Sequence, residues 1–148
     1  MINIQLEDIA GLAIMAGEVM LKNGAETSRV EETMEHIAKA CGACAVESFV
    51  IPTGVFLTVT NRAGRSITIM RRVKERTINL DRIARVNELS RRIAEDRVDY
   101  RNAFGILERI AKERTGFSLV PSMVASGLVG GCFAVLQEGA AGEVAAAF

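Results

Sequence analysis

Between Arg114 and Glu138 the chain runs for 23 residues without a charge, TGFSLVPSMVASGLVGGCFAVLQ. Such a run restricts a fold severely, because about 20 apolar residues in a helix match a bilayer core of roughly 30 Å. Arg109, Lys112 and Arg114 precede it, and only Glu138 and Glu143 carry charge after it. By the positive-inside rule that flank keeps the preceding residues in the cytoplasm. Within the run Ser122, Ser126 and Gly130 lie four apart, as do Gly127 and Gly131. Small residues so spaced let membrane helices approach closely, which makes an oligomer or further membrane helices the expected partners. The alternative is a buried helix of a soluble core, where each glycine costs about 1 kcal/mol relative to alanine. A transmembrane helix over 115–137, in the inner (cell) membrane, is therefore expected.

The 148 residues are enough for one domain with a real core beside that helix. Formal net charge is zero, so nothing global points to nucleic acid. Charge is unevenly placed: residues 1–61 hold 3 Lys/Arg against 8 Asp/Glu, and residues 62–114 hold 15 against 8. Glu7 and Asp8 interrupt the N-terminus before any apolar core, which excludes a signal peptide and starts the chain in the cytoplasm. A second apolar stretch begins at Ala140 and stops at Phe148, too short to cross a bilayer, so a chain cut short is expected. The expected divisions are a cytoplasmic domain over 1–114, the membrane helix over 115–137, and a loop with the start of another apolar segment over 138–148.

Periodicity orders the first part. Leu6, Ile9, Ala13, Ala16 and Met20 mark a helix over 5–22, and Gly24 supplies a positive-φ stop. A second helix, from about Ser28 to Cys41, carries Val30, Met34, Ile37 and Cys41 on one face, with Gly42 just past its end. Ser28 and Glu31 have capping-box spacing. His36 lies beside the apolar stripe and reads as a partly buried structural histidine. Val46–Ile51, Val55–Thr60 and Ser66–Met70 then read as three strands, the last two joined by the turn Asn61-Arg62-Ala63-Gly64. Arg65, Arg71, Arg72, Lys74 and Arg76 bring five basic groups near the sheet end. Helices follow over about 80–95, capped by Asn79, and from Asp99 through Ala111. The fold class is α+β, in the order α-α-β-β-β-α-α, followed by the membrane helix.

The richest polar junction is Asn23–Gly42. Its caps explain Gly24, Ser28 and Glu31 and leave Asn23, Glu26, Thr27 and Arg29 without a structural duty. Cys41-Gly42-Ala43-Cys44 is a C-x-x-C, but Cys41 ends a helix, where the dipole does not favour a thiolate. With His36 it offers three zinc ligands where four are needed. The chain shows no Walker lysine motif, no G-x-S-x-G and no paired metal-ligand motif. No cofactor, metal ligand or catalytic residue is assigned.

Lys22-Asn23-Gly24-Ala25-Glu26-Thr27-Ser28-Arg29-Val30-Glu31 resembles a signature of the threonine/serine exporter family. So does Phe49-Val50-Ile51-Pro52-Thr53-Gly54-Val55-Phe56-Leu57. A third block, Arg72-Val73, Arg76, Asn79-Leu80 and Val86-Asn87-Glu88-Leu89-Ser90-Arg91, follows in the order and spacing of that family. The resemblance implies a cytoplasmic N-terminal domain joined to a bundle of membrane helices, with the second half sometimes on a partner subunit. It implies export of threonine and serine, or of a dicarboxylate by a split relative, and an N-terminal domain suspected of being hydrolase-like. Gln137-Glu138-Gly139 stands where the family has Gly-Gly, with Glu143 where an acidic residue is expected.

Two functions follow. One is a transporter subunit whose cytoplasmic domain gates or binds a small polar amino acid. Such a zwitterion needs a carboxylate for its ammonium and an Arg or helix N-terminus for its carboxylate. Glu26 and Arg29 at the start of the second helix supply both. The other is a membrane-tethered hydrolase or ligand-sensing domain, for which Thr27, Thr53 or Ser90 would need a base and only one His exists. For the first, the expected substrate-binding or gating residues are Asn23, Glu26, Thr27, Arg29, Thr53, Arg72, Arg76, Asn87 and Arg91, converging on one polar site.

Overall fold

Helix α1 (Leu6–Lys22) runs through the middle of the first of two units, Met1–Glu113 and Arg114–Phe148. The computed structural model describes residues 5–113 and 119–136. After α1 come α2 (Thr27–Ala40), strands β1 (Ala45–Ile51), β2 (Gly54–Thr60) and β3 (Ser66–Arg72), then α3 (Leu80–Ala94) and α4 (Tyr100–Lys112). The second unit contains α5 (Leu119–Leu136). The expected element order is therefore found.

Where the apolar spacing of α1 predicts one buried stripe, 11 of its 17 residues are buried. The reason is its surroundings: the sheet, α2, α3 and α4 all pack against it, so it has little solvent face left. Gly17 permits the close approach of α2. A Cβ there would stand 2.3 Å from Met34 Sδ and 3.3 Å from Val30 Cγ1.

Both helices of the first hairpin end in the same way. Gly24, at φ +90°, donates to Leu21 O while Ala25 donates to Met20 O. Gly42, at φ +99°, donates to Lys39 O while Ala43 donates to Ala38 O. These paired bonds satisfy carbonyls the helix leaves open, at a backbone angle that glycine tolerates best.

The start of α2 differs from expectation. The helix begins at Thr27, the N-cap is Glu26 without a side-chain cap bond, and Ser28 already lies inside the first turn. The expected capping box therefore does not form. Glu31 turns outward instead, its Oε1 accepting Val50 N–H at 2.8 Å and tying α2 to β1. Asn79 does cap α3, its side chain accepting from Arg82 N at 3.0 Å. Asp99 stands at the N-cap of α4 without a side-chain bond.

The sheet is antiparallel in the order β1-β2-β3. Val55, Leu57 and Val59 of β2 are buried on its helix-covered face. Its other face carries the cross-strand rows Glu47–Thr58–Thr68 and Phe49–Phe56–Met70. Arg72 pairs with Gly54 at one end of the sheet, whereas Arg65 adjoins the Ser66–Thr60 pair at the other and bonds Glu7 at 2.7 Å. The five basic groups are thus split by the length of a strand, and Arg65 does not join the rest.

Helix α5 has no charged residue and exposes Val120, Met123, Val129 and Phe133. Even so, no helix among the described residues is long and apolar enough to cross a membrane. At about 1.5 Å per residue the 18 residues of α5 measure about 27 Å, against a hydrocarbon core of roughly 30 Å. The crossing expected over 115–137 is not established by this helix. Residues 114–118, the Gln137-Glu138-Gly139 segment and the stretch from Ala140 to Phe148 lie outside the described residues.

Candidate functional site

Helix spacing builds a polar groove of about 450 Å³ between α2 and α3. From α2 come Arg29, Thr33 and His36, and from α3 come Asn87, Ser90 and Arg91. Arg29, Thr33 and His36 recur at four- and three-residue intervals along one face of α2, and Ser90 and Arg91 lie three and four residues beyond Asn87 on α3. The groove's floor is internally satisfied. Buried Thr33 places Oγ1 2.9 Å from Arg29 O and 3.1 Å from Asn87 Oδ1, and buried Ser90 donates to Asn87 O at 3.0 Å. On the rim, Glu35 accepts from Lys39 and from Ser48 Oγ, both at 3.0 Å. The Lys39 ammonium beside it holds the Glu35 carboxyl below its ordinary range. Arg91 is held by Glu88 at 2.8 Å.

Three ionisable groups of this groove make no hydrogen bond or ion pair among the described residues: Arg29, Glu32 and His36. His36 is exposed, not the partly buried structural histidine expected beside the apolar stripe, because the stripe turns it toward the α2–α3 groove. The groove thus offers one uncommitted guanidinium and one uncommitted carboxylate three residues apart. That pair is complementary to a small zwitterion.

A second groove, of about 500 Å³, opens between the end of α1, residues 75–77 and the start of α3. Asn23 and Arg76 line it, with Met15, Val19 and Ala111 as apolar walls. Asn23 is 3% exposed and has the structural duty that its sequence context hides. Its Nδ2 donates to Val19 O at 2.6 Å, its Oδ1 accepts from Arg82 Nη1 at 3.3 Å, and its main-chain O accepts from Asn79 N at 3.0 Å. Arg82 also donates through Nη2 to Glu113 O, while its Nε is buried without a partner among the described residues.

Of the nine expected residues, Arg29, Asn87 and Arg91 share the α2–α3 groove, and Asn23 and Arg76 share the second. Glu26, Thr27, Thr53 and Arg72 line neither of these two grooves. Glu26, Thr53 and Arg72 are exposed, and Thr53 O accepts Val73 N at 2.8 Å. Sequence reasoning missed Glu32, Thr33, Glu35 and Arg82. The available signal was the polar stripe of α2, in which Arg29, Thr33 and His36 recur at helical spacing. Among the described residues no His, Cys, Asp and Glu cluster could hold a metal ion.

Comparison with known proteins bears on what these grooves serve. A family model described as "Putative threonine/serine exporter" matches residues 11–148. The "Probable succinate transporter subunit YjjP" of Escherichia coli (strain K12) is 29% identical over 135 residues, covering 91% of this chain and 52% of the relative. The protein of the same description from Klebsiella aerogenes is 28% identical over 131 residues, covering 88% and 50%. The chain therefore spans about half the length of the curated relatives it matches. No solved structure matches.

Proposed function

The chain belongs to the threonine/serine exporter family, and from that premise we propose that it carries the cytoplasmic domain and first membrane helix of a transporter subunit. The transporter exports small polar amino acids such as threonine and serine, from an inner-membrane assembly completed by further membrane helices or a partner subunit. The single observation that carries this reading is the family match over residues 11–148. The uncharged α5, with large aliphatic side chains exposed, supports a membrane setting for the segment it belongs to.

The α2–α3 groove is the substrate-binding or gating site of this reading. Arg29 receives the carboxylate and Glu32 the ammonium, and Asn87 and Thr33 fix the helix crossing between them. The dicarboxylate named for the relatives would need two uncommitted cations. In the α2–α3 groove Lys39 and Arg91 are already bonded to Glu35 and Glu88, and the uncommitted Glu32 carboxylate beside Arg29 would repel a second substrate carboxylate but attract an ammonium, which favours the zwitterion. The hydrolase alternative gains no support from the hydroxyls: Ser90 bonds Asn87 O and Thr33 lies on Arg29 O, so neither is held against His36.

The test is efflux of threonine, and separately of succinate, from cells carrying the full-length protein and its partner. Arg29→Lys and Glu32→Gln are each expected to cut threonine efflux about tenfold, since Lys lacks the guanidinium fork. Parental threonine efflux in both variants would remove the groove from transport. Efflux of succinate alone would replace the substrate.

A further inference from the structure

The first unit has one end where several observations coincide. Arg71, Arg72, Lys74 and Arg76 are exposed there, with Glu75 the only acid between them, and none of the four forms an ion pair among the described residues. Immediately after them Ile78 is 84% exposed and Leu80 is 72% exposed. Large aliphatic side chains so exposed beside uncommitted cations are costly to leave in water, and together they match a surface that is anionic outside and apolar beneath.

Hydrogen bonds locate this segment. Val73 N donates to Thr53 O at 2.8 Å in the β1–β2 turn, Thr77 N to Lys22 O at 2.8 Å, and Asn79 N to Asn23 O at 3.0 Å at the end of α1. From Asn23 the network continues through Arg82 to the carbonyl of Glu113, and Arg85 holds the Glu113 carboxylate at 2.6 Å. Glu113 is the last residue of the unit. The chain therefore leaves the unit at the same end that displays the four cations and the two aliphatic side chains. If the residues that follow enter a bilayer, this is the end that meets its surface.

We infer that the end of the first unit bearing Arg71, Arg72, Lys74, Arg76, Ile78 and Leu80 rests on an anionic lipid surface, a reading that depends on the membrane crossing proposed for 115–137. The cations face the headgroups, and Ile78 and Leu80 enter the boundary between headgroup and acyl chain. The opposite end of the unit, with the Asn61–Gly64 turn and the Arg65–Glu7 pair, stands away from the membrane.

The chain has no tryptophan, so a single introduced one reports its own site. Ile78→Trp, Ala63→Trp and Leu128→Trp are made separately in the full chain and reconstituted in vesicles containing lipid brominated near the headgroup, to report Ile78→Trp and Ala63→Trp, or near the acyl-chain end, to report Leu128→Trp. One set is phosphatidylcholine alone and the other contains about one third phosphatidylglycerol. Ile78→Trp is expected to be quenched in the anionic vesicles at least about threefold more than in the neutral ones. The difference should vanish in about 0.5 M salt, and Ala63→Trp should stay unquenched. Adding Arg72→Gln, Lys74→Gln and Arg76→Gln to Ile78→Trp is expected to lower quenching to the neutral-vesicle level, with the helical circular dichroism unchanged. Quenching of Leu128→Trp but not of Ile78→Trp would leave the crossing in place and overturn the inference. A blue-shifted but unquenched Ile78→Trp would assign the surface to a protein and also overturn it. Equal quenching in both vesicle types would overturn the charge recognition. An unquenched Leu128→Trp would remove the crossing itself, and the inference with it.

Discussion

Gly17 shows how one side chain's absence sets a distance between helices. It sits in the interior of α1, where glycine costs about 1 kcal/mol relative to alanine. A methyl group at this position would meet Met34 Sδ at 2.3 Å and Val30 Cγ1 at 3.3 Å, and because Met34 and Val30 are fully buried, the thioether can move aside only against packed neighbours. Overpacking of that kind costs about 1–3 kcal/mol, more than the helix gains. Gly17→Ala is therefore expected to destabilise the chain by about 1 kcal/mol. Gly11, on the same helix, has nothing within 4 Å of its missing Cβ. Gly11→Ala should stabilise by up to about 1 kcal/mol. Denaturant midpoints of the two variants check the pair, and a shift of the same sign in both would refute the packing argument. At this scale the sequence is a poor guide, because both glycines have the same local context and only the crossing of α2 separates them. Asn23 teaches the same lesson in polar form: its partners Arg82 and Asn79 lie far along the chain, so its burial has no local signature.

Elements were far more legible than their joints. The 3.6-residue spacing in α1, α2, α3 and α4 and the turn residues around β2 depend on near neighbours, which a sequence displays directly. The α2 start was misread because Ser28 and Glu31 satisfy a local rule that a tertiary bond overrides. Glu31 instead accepts the Val50 N–H of the edge strand β1. Removing that carboxylate leaves a part-buried donor unpaired, which costs about 1–3 kcal/mol. Glu31→Ala should therefore destabilise the chain by about 1–2 kcal/mol, while Ser28→Ala, at an exposed position inside the first turn, should change stability by less than about 0.5 kcal/mol. Urea unfolding of both variants separates the two accounts. A capping box would make the serine change costly, by about 1 kcal/mol. The candidate site was legible to the extent that it lies on helix faces. Arg29 with Asn87 and Arg91 meet because α2 and α3 cross, whereas Thr53 in the β1–β2 turn and Arg72 at the end of β3 have directions that no local pattern specifies.

For the whole molecule the crossing proposed for 115–137 would leave the first unit on one side of a membrane, and the unit's own cysteines can report which. Cys44 is exposed. Burial pushes the Cys41 thiol up to about 11, so it stays protonated and slow to react near neutral pH. The sign is that of an acid disfavoured in the folded state: the protonated thiol adds stability that is fully present below its ordinary value of 9.0 and fades as pH rises toward about 11. With Cys132→Ala removing the exposed thiol of α5, Cys44 becomes the principal target for a maleimide at neutral pH. Arg109, Lys112 and Arg114 before the uncharged run call for a cytoplasmic first unit. In intact cells carrying the full-length protein with its other exposed cysteines removed, a membrane-impermeant maleimide is expected to leave Cys44 unmodified. Permeabilisation should expose it to rapid labelling, with Cys41 following much more slowly. Fast labelling of Cys44 before permeabilisation would put the α2–α3 groove outside the cell, where a site that collects cytoplasmic amino acids for export cannot work.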